Sequence, residues 1–220
     1  MSSTSSGLKH IAPPKPPLLQ EMELLIDLPE SPLFENQHLI TILDFPLYDS
    51  SLPWHFDASK LEQCSLTSKI ISKLRLWDSI FVRCDLSANR FFEAGLLRSE
   101  FLGCRGTGLQ LGESDIQDVR FSNCKLNMAS FRNCKLTRVV FENCILDDAD
   151  FNAAKLHEVS FIKCELNRTD FSGAKLQAVD LTKNDLRPLR GVMSLKNARI
   201  TEEQLFELAP LMAQEVGLVW

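Results

Sequence analysis

The sequence predicts an all-β solenoid, a chain wound into four-sided coils, and three observations carry that prediction. Counting from Leu61, every fifth residue as far as Leu186 is Leu, Ile or Phe, with one exception at Gly106. The residue two before each of these centres is also small or apolar in most repeats, as at Ala94, Cys124, Ala129, Val139 and Ala154. Like residues then recur twenty apart. Val119, Val139, Val159 and Val179 form one column and Phe81, Phe101, Phe121, Phe141 and Phe161 a second. Cys64, Cys84, Cys104, Cys124, Cys144 and Cys164 form a third, leaving only Cys134 outside it.

A five-residue step turns an α-helix by about 500°, or 140° net, so the pattern would smear around a helix and define no face. In a straight strand an odd period alternates between faces. Two inward side chains two residues apart do fit a very short strand followed by a corner. The columns twenty apart require four such pentapeptides per coil, so that like stacks on like. The remaining positions face water and hold most of the Asp, Glu, Lys, Arg, Asn and Ser.

The segments "CDLSA" (84–88), "ADFNA" (149–153) and "TDFSG" (169–173) resemble the pentapeptide-repeat family, whose consensus is close to A-(D/N)-L-X-X. The resemblance covers the frame from Leu61 to Leu186 and does not extend to residues 1–55. It implies a right-handed quadrilateral β-helix.

In chain order, residues 1–20 are Ser-, Thr- and Pro-rich, lack the apolar core of a secretory signal, and read as a disordered tail. Residues 21–60 form a non-repeat segment. The outward positions of the early coils are apolar: Ile70, Trp77, Ile80, Val82, Phe92, Leu97 and Leu102. A patch of that size rarely stays exposed on a monomer. Residues 21–60, with "HLITILDF" (38–45) and "LPWHF" (52–56), are therefore expected to pack on the first coils. The sharper reading makes Trp77, Val82, Phe92, Leu97 and Leu102 a partner-binding surface.

Residues 61–190 form the β-helix. Within it, Gly106 removes a core side chain, leaving either a bulge that forms part of a site or a coil repacked around Leu109. Residues 191–220 form a cap. Leu195 and Ile200 are spaced by five but out of register, and Thr201 and Gln204 have the spacing of a capping box, with Glu202 and Glu203 well placed against the helix dipole. Leu205, Leu208, Ala209 and Met212 give a helical apolar stripe to cover the last coil, and Pro210 is expected to kink or end the helix. Phe206, Leu211, Leu218, Val219 and Trp220 form a second apolar set. That set predicts a homodimer through the C-terminal end, against a monomer whose tail folds back.

The composition, with 45% hydrophobic and 24% charged residues, is that of a folded globular chain. No apolar run approaches the roughly 20 residues needed to span a bilayer, so no membrane partner is expected. The formal charge of −5 is uneven, since residues 1–60 hold three Lys against eight acids. His10, His38, His55 and His157 are scattered, and no HExxH, CxxC or GxSxG motif occurs. "GCRGTG" (103–108) lacks the strand and helix of a phosphate loop. A column of inward thiols does not converge on a metal and reads as small buried hydrophobes. No cofactor, metal or catalytic residue is expected, and reduced thiols point to a cytoplasmic setting. Asp147, Asp148, Asp150 and Asp170, with Lys135, Lys155 and Lys175 on the following face, read as an acidic corner and a basic column or as plain solvated surface.

Some members of the family bind DNA gyrase or topoisomerase IV as duplex-DNA mimics, through a dimer of C-terminal helices, and confer quinolone resistance. Duplex DNA carries about one charge per 1.7 Å, which at a coil rise of about 4.8 Å asks for about three net acids per coil. No predicted face is even modestly acidic. The expected function is a non-enzymatic protein-interaction scaffold, with topoisomerase-binding DNA mimicry as the alternative and no direct contact with nucleic acid.

Overall fold

Three-residue extended segments, each followed by a corner, repeat along the chain and stack in parallel on the equivalent segment one coil away. The computed structural model describes residues 23–24, 31–42 and 53–218. The tail at 1–20 lies outside the described residues. The molecule is a right-handed quadrilateral β-helix of about eight turns with one C-terminal helix.

The corners explain why a five-residue unit suffices. Every fifth residue from Ala58 to Ala178 has positive φ, for example Asp78 at 50° and Arg138 at 52°, with Gly at 103, 108 and 173. A left-handed residue other than Gly costs about 1–2 kcal/mol. Most corners offset part of that cost with a hydrogen bond to the next coil: Asp78 N–H donates to Leu97 O at 3.0 Å and Arg138 N–H to His157 O at 2.9 Å. The sharp turn also returns two side chains per pentapeptide to the core.

A coil passes through four faces. Ile80–Val82 lies on face one, Asp85 on face two, Arg90–Phe92 on face three and Gly95–Leu97 on face four; Glu100–Leu102 then returns to face one. Face one is a ten-stranded parallel ladder and face four an eight-stranded one. Face two is held by single bridges such as Asp85↔Arg105, and face three by one strand pair, Ile70–Ser72 with Arg90–Phe92, followed by bridges.

Inside, two phenylalanine columns meet. On face one Phe101, Phe121, Phe141 and Phe161 stack with centroids 4.8–5.0 Å apart, and on face three Phe131 stacks on Phe151 at 4.7 Å. The columns touch edge to face, Phe131 against Phe141 at 5.5 Å and 83°. Gly106 leaves no void: a Cβ there would lie 2.9 Å from Leu126 Cδ2 and 3.4 Å from Leu109 Cδ2. The coil is repacked around Leu109, which is buried.

Residues 21–60 differ from the expectation over their described part. Leu33–Glu35 pairs with His55–Asp57, and Gln37–Ile40 with Lys60–Glu62, so these residues continue the ladders end-on. Phe34 stacks on Phe56 at 4.6 Å. They extend the core and do not fold over the outward side chains of the early coils, because their apolar residues are spent inside: Phe34, Leu39, Trp54 and Phe56 are all buried. Residues 43–52 lie outside the described residues.

At the other end the register slips by a bulge between Ser160 and Ile162, and the last strand, Ala198–Arg199, pairs with Val179–Asp180. The helix Glu202–Glu215 then crosses the end of the solenoid. It does not end at Pro210 but runs through it to Glu215, which leaves the Phe206 carbonyl without its donor four residues on.

Candidate interaction surfaces

Trp77 and Leu97 are register partners on face four, and Val82 and Leu102 are register partners on face one. Ile80 precedes Val82; Val82 and Leu102 end face one beside Arg83 and Gly103, and all five residues lie on the two faces that meet at the Asp78 corner. At its apex the Arg98 guanidinium donates to both oxygens of Asp78, at 2.7 and 2.6 Å. Trp77 is 42% exposed, while Leu97, Ile80, Val82 and Leu102 are half-buried. Phe92 is separate: it lies on face three beyond the next corner, 45% exposed. Four of the five candidate residues therefore lie on faces four and one, and Phe92, one corner before Leu97, lies on face three.

Below the corner, Ser59, Ser79 and Ser99 stack in the core at the position that Val119 occupies further on. Each hydroxyl donates to a carbonyl of the preceding coil, Ser79 to Phe56 O at 3.1 Å and Ser99 to Leu76 O at 3.3 Å. Their burial is thus satisfied. Within the patch Glu100 pairs in register with Ile80 and Arg120, and burial raises its carboxyl above the usual range. The Arg120 guanidinium turns instead to Glu142 at 3.0 Å. Sequence reasoning passed over Glu100, which reads as an ordinary outward acid until its apolar neighbours are placed.

Elsewhere outward charges pair one coil apart. Arg138 donates to Asp118 at 2.6 and 2.7 Å, and this holds the Asp118 carboxyl below its ordinary range. Arg168 pairs in the same way with Asp148, and Arg132 lies near Asp150.

The cysteines are packing elements. All seven are buried free thiols. Each donates to the carbonyl of a centre one coil back, as Cys104 does to Phe81 O and Cys124 to Phe101 O, both at 3.3 Å. Burial pushes the Cys134 thiol up to about 12, and the thiol of the next coil, together with burial, does the same to Cys84 and Cys104. Among the described residues no group of three or more His, Cys, Asp or Glu is arranged to hold a metal ion. No helix there is long and apolar enough to cross a membrane.

At the C-terminal end, Leu208 is buried and Met212 partly so, as expected of a cap. Leu205 is 49% exposed and Phe206 70%, so Leu205 is not on the capping face; Leu211 packs against the core in its place. Trp220 lies outside the described residues. Sequence reasoning found the capping box but missed the larger role of Gln204. Its Oε1 accepts from Thr201 N–H, while its Nε2 donates to Leu181 O at 2.9 Å and Asn184 O at 2.7 Å. Gln204 is twenty residues after Asn184 and forty after Cys164, so it extends the cysteine column.

A parallel solenoid with two inward side chains and a left-handed corner in every five residues is the architecture of pentapeptide repeats. A family model described as "pentapeptide repeat region" matches residues 74–144 and 134–205, more than half of the chain, and the chain belongs to the pentapeptide-repeat family. Among solved structures it is similar to full-length QnrB1, described as a plasmid-mediated fluoroquinolone resistance protein. The identity is 18% over 86% of this chain and 92% of that one, with a TM-score of 0.35. HetL, a pentapeptide repeat protein involved in heterocyst differentiation regulation from the cyanobacterium Nostoc, is 20% identical over 77% of this chain and 83% of its own, at a TM-score of 0.39. No curated protein sequence matches the chain. At these identities the likenesses carry nothing about function.

Proposed function

We propose that this chain is a non-enzymatic scaffold that docks a protein partner on the corner between faces four and one of its early coils. The observation that carries the reading is the register itself: Trp77 beside Leu97 and Val82 beside Leu102, flanking the Arg98–Asp78 pair. An exposed Trp amid aliphatic groups and one Arg is the composition of an interface hot spot. The core is filled by stacked side chains, which supports a role without catalysis. The buried free thiols suit a reducing compartment such as the cytoplasm.

Mimicry of duplex DNA toward gyrase or topoisomerase IV asks for a continuous acidic face. The corner column Asp78, Arg98, Asp118, Arg138 and Glu158 alternates in sign, which favours the scaffold reading. Affinity capture from the native cell, run with wild type and with a Trp77→Ser/Leu102→Asp variant, tests the surface. The partner should be lost with the variant while Phe92→Ser retains it. A partner held equally by all three overturns the assignment, and protection of purified gyrase from a quinolone would establish mimicry instead.

A further inference from the structure

The fourth face carries an arrangement that departs from the rest of the molecule. Lys135, Lys155 and Lys175 open the strands Lys135–Thr137, Lys155–His157 and Lys175–Gln177, and they are direct register partners. Adjacent strands lie about 4.8 Å apart, so three ammonium groups are anchored one coil apart in a single line. Like charges directly opposite one another are destabilising. Like charges also pair at Arg105 with Lys125 and at Asp150 with Asp170, but among the described residues no other column has three like charges in succession. Lys135 finds Asp115 at 3.3 Å at one end of the line. Lys155 and Lys175, both exposed, have no ion pair among the described residues.

These lysines form one wall of a groove of about 360 Å³. Thr137, His157 and Gln177 form the other wall, Leu136, Leu156 and Leu176 line the floor between them, and Asn197 also lines the groove. No carboxylate lines it. Hydroxyl, imidazole and amide groups stand opposite three ammonium groups, so the lining is rich in donors and suits a line of anions.

We propose that this groove docks an extended acidic segment of a partner protein, laid along the solenoid axis with alternate carboxylates on the lysine column. Alternate side chains of an extended peptide are about 7 Å apart, a spacing that long lysine stems anchored about 4.8 Å apart can follow. Nucleic acid fits less well. The facing wall offers no Phe, Tyr or Trp on which bases would stack. The site is distinct from the apolar corner and does not depend on it.

Fluorescence anisotropy with a labelled deca-aspartate peptide and the full chain tests the proposal, with deca-asparagine, a short DNA duplex and inorganic phosphate as competitors. Deca-aspartate should bind with an affinity that falls as salt rises. Lys155→Glu/Lys175→Glu should weaken it by about tenfold or more, while Lys155→Arg/Lys175→Arg keeps it. Without peptide, Lys155→Gln should melt at the same temperature as wild type or higher at low salt, because it removes self-repulsion. Equal binding by the Glu double variant, displacement by duplex DNA at lower concentration than by unlabelled deca-aspartate, or displacement by phosphate alone would each overturn the proposal. So would a lower melting temperature for Lys155→Gln.

Discussion

Phe141 is fully buried, with Phe121 and Phe161 stacked above and below at 5.0 Å and Phe131 and Phe151 meeting it edge-on. Few side chains in the molecule have so many aromatic neighbours held by independent coils, so the surroundings cannot collapse into a hole. Phe141→Ala is expected to cost about 3–5 kcal/mol. Two residues on, Asn143 sits at a corner with φ 51° and its side chain in solvent. Asn143→Ala is expected to cost under about 1 kcal/mol, since alanine already occupies the same left-handed corner at Ala58, Ala88, Ala153 and Ala178. Denaturant melts of the two variants compare a centre with a corner, and equal losses would contradict the five-residue frame.

At the scale of elements, the C-terminal helix is attached by polar clamps at both ends and an apolar seam between them. Gln204 takes the last exposed carbonyls of the solenoid, Leu208 fills the centre, and Glu215 accepts from the N–H groups of Val192 and Met193 at 3.1 and 3.2 Å. Gln204→Ala removes the reciprocal bond to Thr201 and strands the part-buried Asn184 carbonyl, while Leu181 O keeps the bond from Asn184 Nδ2–H at 3.1 Å, a loss of about 1–2 kcal/mol. Because a solenoid end can fray while distant coils stay intact, the loss belongs to the cap. Hydrogen exchange should show residues 202–215 losing protection while the coil around Phe141 keeps it, and Leu205→Ala should leave both unchanged.

Elements were legible in the sequence to the degree that they kept the period. From Leu61 to Leu186 the lag of twenty is unbroken, and coil number, facing and columns follow from it. The coil containing Phe34 and Leu39 was not legible, because its ladder partners Phe56 and Leu61 lie twenty-two residues on, and the extra two residues destroy the frame without breaking the stacking. Gln204 keeps the lag of twenty after Asn184, but its place in the column was masked because it falls inside the helix Glu202–Glu215 and is not a small or apolar residue. The surface was harder still. Trp77, Val82, Phe92, Leu97 and Leu102 stand out by composition alone, but only the assignment of faces separates Phe92 from the other four and brings Glu100 among them.

For the whole molecule the open question is what meets the outer side of the cap. Leu205, Phe206, Val216 and Leu218 are 49%, 70%, 55% and 63% exposed, and Met193 beside the helix is 50% exposed. The residues that hold the cap to the solenoid, Gln204, Leu208, Leu211 and Met212, are a different set, so this apolar side is free to do something else. Left in water it favours self-association, and a two-fold pairing of the helices buries the same patch on both copies. The full chain is therefore expected to be a homodimer at micromolar concentration by light scattering. A Leu205→Asp/Phe206→Asp variant should be monomeric with its helix and melting profile intact, because neither side chain supports the cap. A chain ending at Asn197 should lose the dimer too, but with the Leu181 carbonyl uncovered and the last coils frayed. Full-length protein that scatters as a monomer would refute the dimer. A double-Asp variant that remains a dimer would place the contact on another surface, with the apolar corner around Trp77 the first to examine by the same substitution strategy.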